Sequence, residues 1–345
     1  MPRALILGGT GLIGRAAALR LLDAGWHVDV TGRDPARTPP EIAAAGARFV
    51  AAERGDEKQL RAALGEGADL LVDCICFTAA DARLLLPLAG NATSTVLVSS
   101  RAVYVDAQGN HANSDAPPRF DGPITEAQPT LAPGDMDHRS REGYGPNKVA
   151  AEHVALDSGL PVTVVRPSLI HGVGAATPRE WVFVKRALDQ RAAVLLAHRG
   201  AGVVQPTAAA NVAALLETVA GRPGARILNC ADPDAPNARD ISRIVARHLG
   251  HPWEEVLLDE TAAEALGRTP WDSPHPVVLD MSAAEDLGYR PAGDYATTVA
   301  AEIDWLAGAA RTGDPAGILP AADHPFFGWF FDYAAEDAFL AARPR

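Results

Sequence analysis

The 345-residue chain is 48% hydrophobic and 21% charged, long enough for a substantial core and too apolar to stay disordered. Its formal charge of −12 argues against a nucleic-acid surface, which needs a basic patch. No stretch approaches the roughly 20 apolar residues of a membrane-spanning helix, and the first residues already read as a strand, leaving no room for a signal peptide. A soluble, cytoplasmic protein is expected, with no membrane and no nucleic-acid partner. The cysteines, Cys74, Cys76 and Cys230, form no disulfide framework. The histidines show no metal-ligand spacing, so no metal is expected.

In chain order, strands are predicted at Arg3–Leu7, Trp26–Thr31, Arg48–Ala52, Asp69–Phe77, Thr95–Ser99 and Pro161–Arg166. Helices are predicted at Gly11–Ala24, Glu57–Leu64, Ala79–Ala89 and Tyr144–Asp157. Apolar strands alternating with helices predict an α/β fold, a Rossmann-type doubly wound parallel sheet with its ligand at the carboxyl ends of the strands. From Asp106 to Gly143 the periodicity breaks in a long stretch rich in Pro, Asp, Gly and Asn. Such loops are usually functional or mobile, and residues 106–143 read as a substrate-side rim or lid. Beyond residue 175 the elements shorten, with helices near 178–191, 208–220, 238–249, 282–287 and 294–308 and strands near 201–204 and 226–230. We divide the chain into a dinucleotide-binding domain, 1–175, and a smaller mixed substrate-binding lobe, 176–345. The aromatic segment His324–Ala342 reads as a terminal helix docked on the core.

Leu5-Ile6-Leu7-Gly8-Gly9-Thr10-Gly11-Leu12-Ile13-Gly14 joins the first strand to the first helix. Gly8 permits a tight turn, Gly11 lets a pyrophosphate approach the backbone, and Gly14 lets helix and strand pack closely. Free N–H groups at the helix start, with the positive end of its dipole, suit the phosphates. The end of the second strand selects between cofactors. An acid there would hold the ribose 2′-hydroxyl of NAD, but the sequence offers Gly32 and then Arg33. A cation in place of a carboxylate favours NADP, while Asp34 and Asp29 keep NAD open. Arg37 could assist, or lie solvated in its loop.

Tyr144-Gly145-Pro146-Asn147-Lys148 opens the helix that follows the long loop. Four residues of helix put Tyr144 and Lys148 on one face. The chain has only three lysines, Lys58, Lys148 and Lys185, which makes the spacing informative. A free tyrosine titrates near 10, and a nearby ammonium favours its phenolate.

These motifs resemble the short-chain dehydrogenase/reductase superfamily. Gly-Gly-Thr-Gly-Leu-Ile-Gly looks most like its extended branch of epimerases, dehydratases and reductases. Val96-Leu97-Val98-Ser99-Ser100-Arg101-Ala102-Val103-Tyr104 resembles the strand-end serine motif of that branch, and Val164-Val165-Arg166-Pro167-Ser168 its Arg-Pro segment beside the nicotinamide. The resemblance covers about residues 3–175. It implies a catalytic triad of Ser100, Tyr144 and Lys148, with Ser99 the alternative serine. Tyr144 would exchange a proton with the reacting oxygen, Ser100 would hydrogen-bond that oxygen, and Lys148 would also hold the nicotinamide ribose. Gly8, Thr10, Gly11, Leu12, Ile13, Gly14, Arg33, Asp56, Cys74, Ile75, Ser99, Lys148, Pro167 and Ser168 are implied at the cofactor. Asp56 would meet the adenine, or cap the helix at Glu57. Arg101, Glu126 and His171 are candidate substrate contacts, although a solvated loop acid and a satisfied strand-end histidine explain the last two equally.

The sequence also departs from the branch. Leu169 and His171 stand where sugar-nucleotide enzymes usually carry Asn and Tyr. The segment Val204–Val212 lacks their Asp and Arg, and Arg101-Ala102 replaces the acidic pair of dehydratases. The leading expectation is therefore an NADPH-dependent reductase or dehydrogenase of a small carbonyl/alcohol substrate. A nucleotide-sugar epimerase or dehydratase with tightly bound NAD, and a non-catalytic dinucleotide sensor, are the alternatives. The resemblance also implies a homodimer through the helices near 79–89 and 144–157.

Overall fold

Seven parallel strands form the central sheet of the computed structural model, which describes residues 1–259, 266–314, 316–321 and 324–343. The first six are β1 (Arg3–Leu7), β2 (His27–Gly32), β3 (Arg48–Ala51), β4 (Ala68–Asp73), β5 (Ala92–Val98) and β6 (Val162–Pro167). Between them run α1 (Leu12–Asp23), α2 (Pro40–Ala44), α3 (Glu57–Leu64), α4 (Ala79–Ala89) and α5 (Tyr144–Leu156). After β6 come β7 (Leu169–His171), α6 (Trp181–Leu188), β8 (Ala193–Leu196), β9 (Pro206–Ala208), α7 (Ala209–Ala220) and β10 (Arg226–Cys230). The chain continues through α8 (Ala238–Leu249), β11 (Glu254–Leu257), α9 (Ser282–Asp286), α10 (Tyr295–Arg311) and α11 (Tyr333–Ala342).

The sheet order is β10-β6-β5-β4-β1-β2-β3. Leu5 of β1 lies opposite Asp29 of β2 and Leu71 of β4. The chain winds outward from β1 to β3, then returns to β1's other side with β4. A crevice therefore opens at the carboxyl ends of β1 and β4, where doubly wound sheets hold their ligands. Strand alternation splits the core. Ala4 and Ile6 pack with α1 and α7, whereas Leu5 and Leu7 pack with α3, α4 and α5. A separate core around Phe183, Trp271, Tyr295 and Phe327 holds the later elements together.

The structure revises several sequence-level boundaries. The fourth strand, expected to run to Phe77, ends at Asp73. There the Asp73 carboxylate accepts the Ile75 N–H at 3.0 Å and turns the chain, as Asp side chains often do. Apolar continuity through Phe77 concealed that turn. Arg226–Cys230, expected in the smaller lobe, is an edge strand of the central sheet paired with β6. No strand covers 201–204; Val204 makes only an isolated bridge to Val277. β7, β8, β9 and β11 are three or four residues long, too short to register as periodicity.

Residues 106–143 hold neither α-helix nor extended strand, yet they are tied down. Asp106 accepts the N–H groups of Gln108, Asn110 and Arg119. Ile124 is buried and bridges to Leu279. The C-terminal aromatic segment forms a 3-10 turn (Gly328–Phe331) and α11, docked by a buried Arg186–Glu336 ion pair of 2.6 Å. Phe327 is buried, while Trp329 stays 76% exposed. No described helix is long and apolar enough to cross a membrane.

Candidate active site

The glycine loop leaves β1 at the crevice. Gly8 adopts φ +76°, a left-handed conformation that favours glycine. Ile75, just past β4, packs against it. A Cβ on Gly14 would stand 2.5 Å from both the Gly8 oxygen and the Gly9 Cα, so only glycine lets α1 approach this closely. Above Gly11 the space is open, its hypothetical Cβ meeting nothing nearer than the Gly8 oxygen at 3.5 Å. No side chain caps α1 and no acid lies in its first turn. The first N–H groups of the helix, at Leu12, Ile13 and Gly14, thus remain available beside Thr10 and suit a pyrophosphate.

Arg33 is exposed at the end of β2 and makes no ion pair among the described residues. Both nearby acids are engaged. Asp29 is buried and pairs with Arg3 and Arg48. Burial alone would raise its pKa, but the two guanidiniums outweigh it and hold the carboxyl below its usual range. Asp34 caps the following 3-10 turn by accepting the Ala36 N–H. Asp56 accepts the Gln59 N–H at 3.1 Å and so caps α3, the alternative that its position allowed.

Lys148 reaches the carboxyl ends of two strands. Its Nζ donates to the Cys76 carbonyl at 2.8 Å and the Val98 carbonyl at 3.0 Å, and it is only 2% exposed. An ammonium has three N–H donors, so one is left for a ligand. Nζ lies 4.4 Å from the Phe77 ring centroid and 5.9 Å from that of Tyr144. Tyr144 is half-buried at the start of α5. That helix packs on the 3-10 turn Arg101–Val103, whose N-cap is Ser100. Ser100 Oγ accepts the Ala102 N–H at 3.1 Å and keeps its own proton free to donate. Ser99 is buried and donates to Glu152, which also forms an ion pair with Arg166. The Ser99 proton is thereby engaged, while that of Ser100 is free. The loop 106–143 reaches this region through His138, stacked on Phe77 at 5.4 Å, and through Met136, whose carbonyl accepts from Asn147.

Other sequence candidates serve as ties. Cys74 lies past β4 and donates its N–H to Leu7. Burial raises the thiols of Cys74 and Cys76 and keeps them protonated. Pro167 closes β6, and Ser168 donates to the Gln205 carbonyl. Glu126 accepts the Asn229 N–H at 2.7 Å and pins the long loop to β10.

His171 belongs to a buried network that sequence reading did not assemble. Its Nε2 meets Asp232 at 2.9 Å, and its ring packs edge-on against Tyr295 at 5.0 Å. The Tyr295 hydroxyl donates to Glu180 at 3.0 Å, and Glu302 accepts the Gly172 N–H at 2.6 Å. Burial, then the neighbouring Glu180 carboxylate, pushes Glu302 well above the usual carboxylate range. Donor atoms of His171, Glu180 and Glu302 lie within 4.8 Å of one another, a spacing that a cation could also occupy. They come from three separate segments, so no local spacing announced them. A cavity of about 290 Å³ lies apart from Tyr144 and Lys148, lined by Leu12, Arg15, His171, Ala209 and Thr298 among others.

Comparison with known proteins fits this geometry. The model of the NAD dependent epimerase/dehydratase family matches residues 4–230. The chain belongs to that family. It is therefore an enzyme of the short-chain dehydrogenase/reductase type that uses a nicotinamide dinucleotide. A 2'-dehydrokanamycin reductase from Streptomyces kanamyceticus is 30% identical over 281 residues, 77% of this chain and 67% of that protein. Among solved structures, a putative epimerase from Burkholderia cenocepacia J2315 superposes with a TM-score of 0.69 at 20% identity, covering 89% of this chain and 98% of that one. The UDP-N-acetylglucosamine 4-epimerase from Bacillus cereus gives 0.67 at 15% identity, over 89% and 100%. The dTDP-glucose 4,6-dehydratase from Bacillus anthracis str. Ames, in complex with NAD, gives 0.66 at 16% identity, over 88% and 96%. At these identities the structures share a fold with the enzyme.

Proposed function

We propose that the enzyme is an NADPH-dependent reductase or dehydrogenase that interconverts a carbonyl and an alcohol on a small molecule. The observation that carries this reading is the Lys148 ammonium, fixed by two strand-end carbonyls and 5.9 Å from the Tyr144 ring. Bound at the crevice, the dinucleotide would supply or accept a hydride. Gly8, Gly11 and the N–H groups of Leu12, Ile13 and Gly14 would seat its pyrophosphate. The free N–H of Lys148 would hold the nicotinamide ribose. Tyr144 would pass its hydroxyl proton to the substrate oxygen during reduction and take it back during oxidation. Ser100, whose proton is free, would hydrogen-bond the same oxygen and stabilise its developing charge.

The preference for NADP rests on Arg33, the exposed cation at the end of β2, with Asp29 and Asp34 engaged elsewhere. The curated relative, a reductase, points to the same reaction class. Pairing of two copies through α4 and α5 belongs to this proposal, as does a cytoplasmic location.

Spectra and cofactor extraction of the purified protein, followed by NADPH and NADH titration, test the reading. Protein that is free of cofactor and prefers NADPH supports it. Retained NAD that resists dialysis overturns it in favour of an epimerase or dehydratase. Tyr144→Phe should abolish turnover and keep cofactor affinity; unchanged turnover would remove Tyr144 from the chemistry.

A further inference from the structure

Several buried carboxylates of this protein face a guanidinium. Asp73 meets Arg54, Glu152 meets Arg166 and Glu336 meets Arg186, as charges taken out of water require. Glu180 and Glu302 do not. Both are buried, at 2% and 0% exposure. Among the described residues neither has a lysine or arginine nitrogen within 4.0 Å, and the basic atom that does come so near Glu302 is His171 Nδ1, 3.8 Å from Oε2. The charge of Arg179 acts on both carboxylates only from beyond that distance.

Two atoms of this group also lack a hydrogen bond. Glu302 Oε2 accepts the Gly172 N–H at 2.6 Å, but Glu302 Oε1 and His171 Nδ1 are enclosed without any partner. Other enclosed carboxylate oxygens in that condition, Glu41 Oε1 and Glu336 Oε2, still lie within 4.0 Å of Arg15 and Arg191. The imidazole is oriented from its other side. Asp232 accepts the Ala208 N–H at 2.6 Å and the Asn211 side-chain amide at 2.7 Å, and its second oxygen stands 2.9 Å from His171 Nε2. An acceptor there makes Nε2 the donor and leaves a lone pair on Nδ1. That lone pair and the two carboxylates converge, with ligand atoms of His171, Glu180 and Glu302 within 4.8 Å of one another. Lone pairs gathered away from water repel unless a cation lies among them. A histidine whose other ring nitrogen is held by a carboxylate is also the usual form of a metal-binding imidazole.

We propose that His171 Nδ1, Glu180 and Glu302 ligate one divalent transition-metal ion of the zinc class, with Asp232 orienting the imidazole. One nitrogen and two carboxylates suit zinc, whereas magnesium and calcium favour all-oxygen shells. With bonds of about 2.1 Å, tetrahedral ligands stand about 3.4 Å apart, so each side chain would draw inward by under about 1 Å. The cavity of about 290 Å³ that reaches His171 and Gly172 provides a way in and a water for the remaining position. The ion is structural. It ties together the end of β7, the segment before α6 and the middle of α10, and it does not depend on the reductase reading. Metal-free protein meets the same charge by raising Glu302 above its usual range, so a proton and the ion compete for this place. The histidine spacing predicted no metal because the three ligands come from segments distant in sequence.

Zinc chloride is the probe, titrated into the full chain after treatment with a chelator and dialysis, with magnesium chloride as the comparison. Calorimetry should find a single tight zinc site per chain. Zinc at a hundred times its Kd should raise the melting temperature by about 4 °C, and magnesium should not. Glu180→Gln and Glu302→Gln keep the size of each side chain; each should weaken zinc at least tenfold and abolish the thermal shift. Asp232→Asn, which removes no ligand, should weaken zinc by about tenfold through the misoriented imidazole. Wild-type crystals grown with zinc give a readout that does not depend on how the variants fold. Their anomalous difference map should place a peak between His171, Glu180 and Glu302. Peaks at surface histidines alone would overturn the proposal. So would a melting temperature that zinc leaves unmoved, zinc affinity unchanged in both glutamine variants, or a magnesium shift as large as that of zinc.

Discussion

Substituting Gly14 and Gly11 by alanine separates packing from cofactor binding within one loop. A Cβ at Gly14 would lie 2.5 Å from the Gly8 oxygen and the Gly9 Cα. Carbon contacts are comfortable at about 3.5 Å or more, so α1 would have to withdraw by about 1 Å. Overpacking of this kind costs about 1–3 kcal/mol. Alanine's better helix propensity returns up to about 1 kcal/mol, so the clash wins by about 1–2 kcal/mol. For a chain of this size that is a fall in melting temperature of about 1–3 °C. At Gly11 the nearest atom would be 3.5 Å away, and φ of −82° suits any residue. Gly11→Ala should therefore melt within about 2 °C of the wild type, losing less than about 1 kcal/mol as an N-cap. Both variants should bind NADPH at least tenfold more weakly, Gly14→Ala through the displaced helix and Gly11→Ala through its methyl group. Differential scanning fluorimetry and fluorescence titration read the two effects. If Gly11→Ala binds cofactor as tightly as the wild type, the pyrophosphate does not lie over that glycine and the reasoning fails.

Three further outcomes follow from the same geometry. Arg33→Ala should weaken NADPH by about 10-fold, the lower end for a charge-assisted hydrogen bond at an exposed site, and leave NADH unchanged; equal losses for both would refute the 2′-phosphate role. Lys148→Met should lower stability by about 2 kcal/mol or more, because the Cys76 and Val98 carbonyls lose a buried donor, and urea titration measures this beside the loss of cofactor affinity. For Glu302 the sign runs against the usual acid, since its folded pKa is raised. The folded state keeps a proton that the unfolded chain releases above about 4.3. Stability should fall by about 1.4 kcal/mol per pH unit from there up to the raised folded pKa. Glu302→Gln mimics the protonated acid and should remove that slope; a variant whose stability keeps the wild-type pH dependence would place the proton elsewhere.

The sequence by itself determined the first half of the molecule. Glycine spacing, strand-helix alternation and the Tyr144–Lys148 interval are local patterns, and a parallel sheet writes its buried strands as apolar runs. Loop chemistry was legible in part: Asp56 read either as an adenine contact or as a helix cap, and its carboxylate does cap α3. Only the tertiary structure decided the rest. It gave the Ser99 hydroxyl to Glu152 and left the proton of Ser100 free to donate. It carried Arg226–Cys230 back to the edge of the central sheet, because a short apolar run records burial but not which strand lies beside it. It drew His171, Asp232, Glu180 and Glu302 into one buried network from separate segments. It also brought Arg54 to Asp73, Arg166 to Glu152 and Arg186 to Glu336. Composition counts charges, but whether a charge finds its partner depends on which side chains the fold brings within 4 Å.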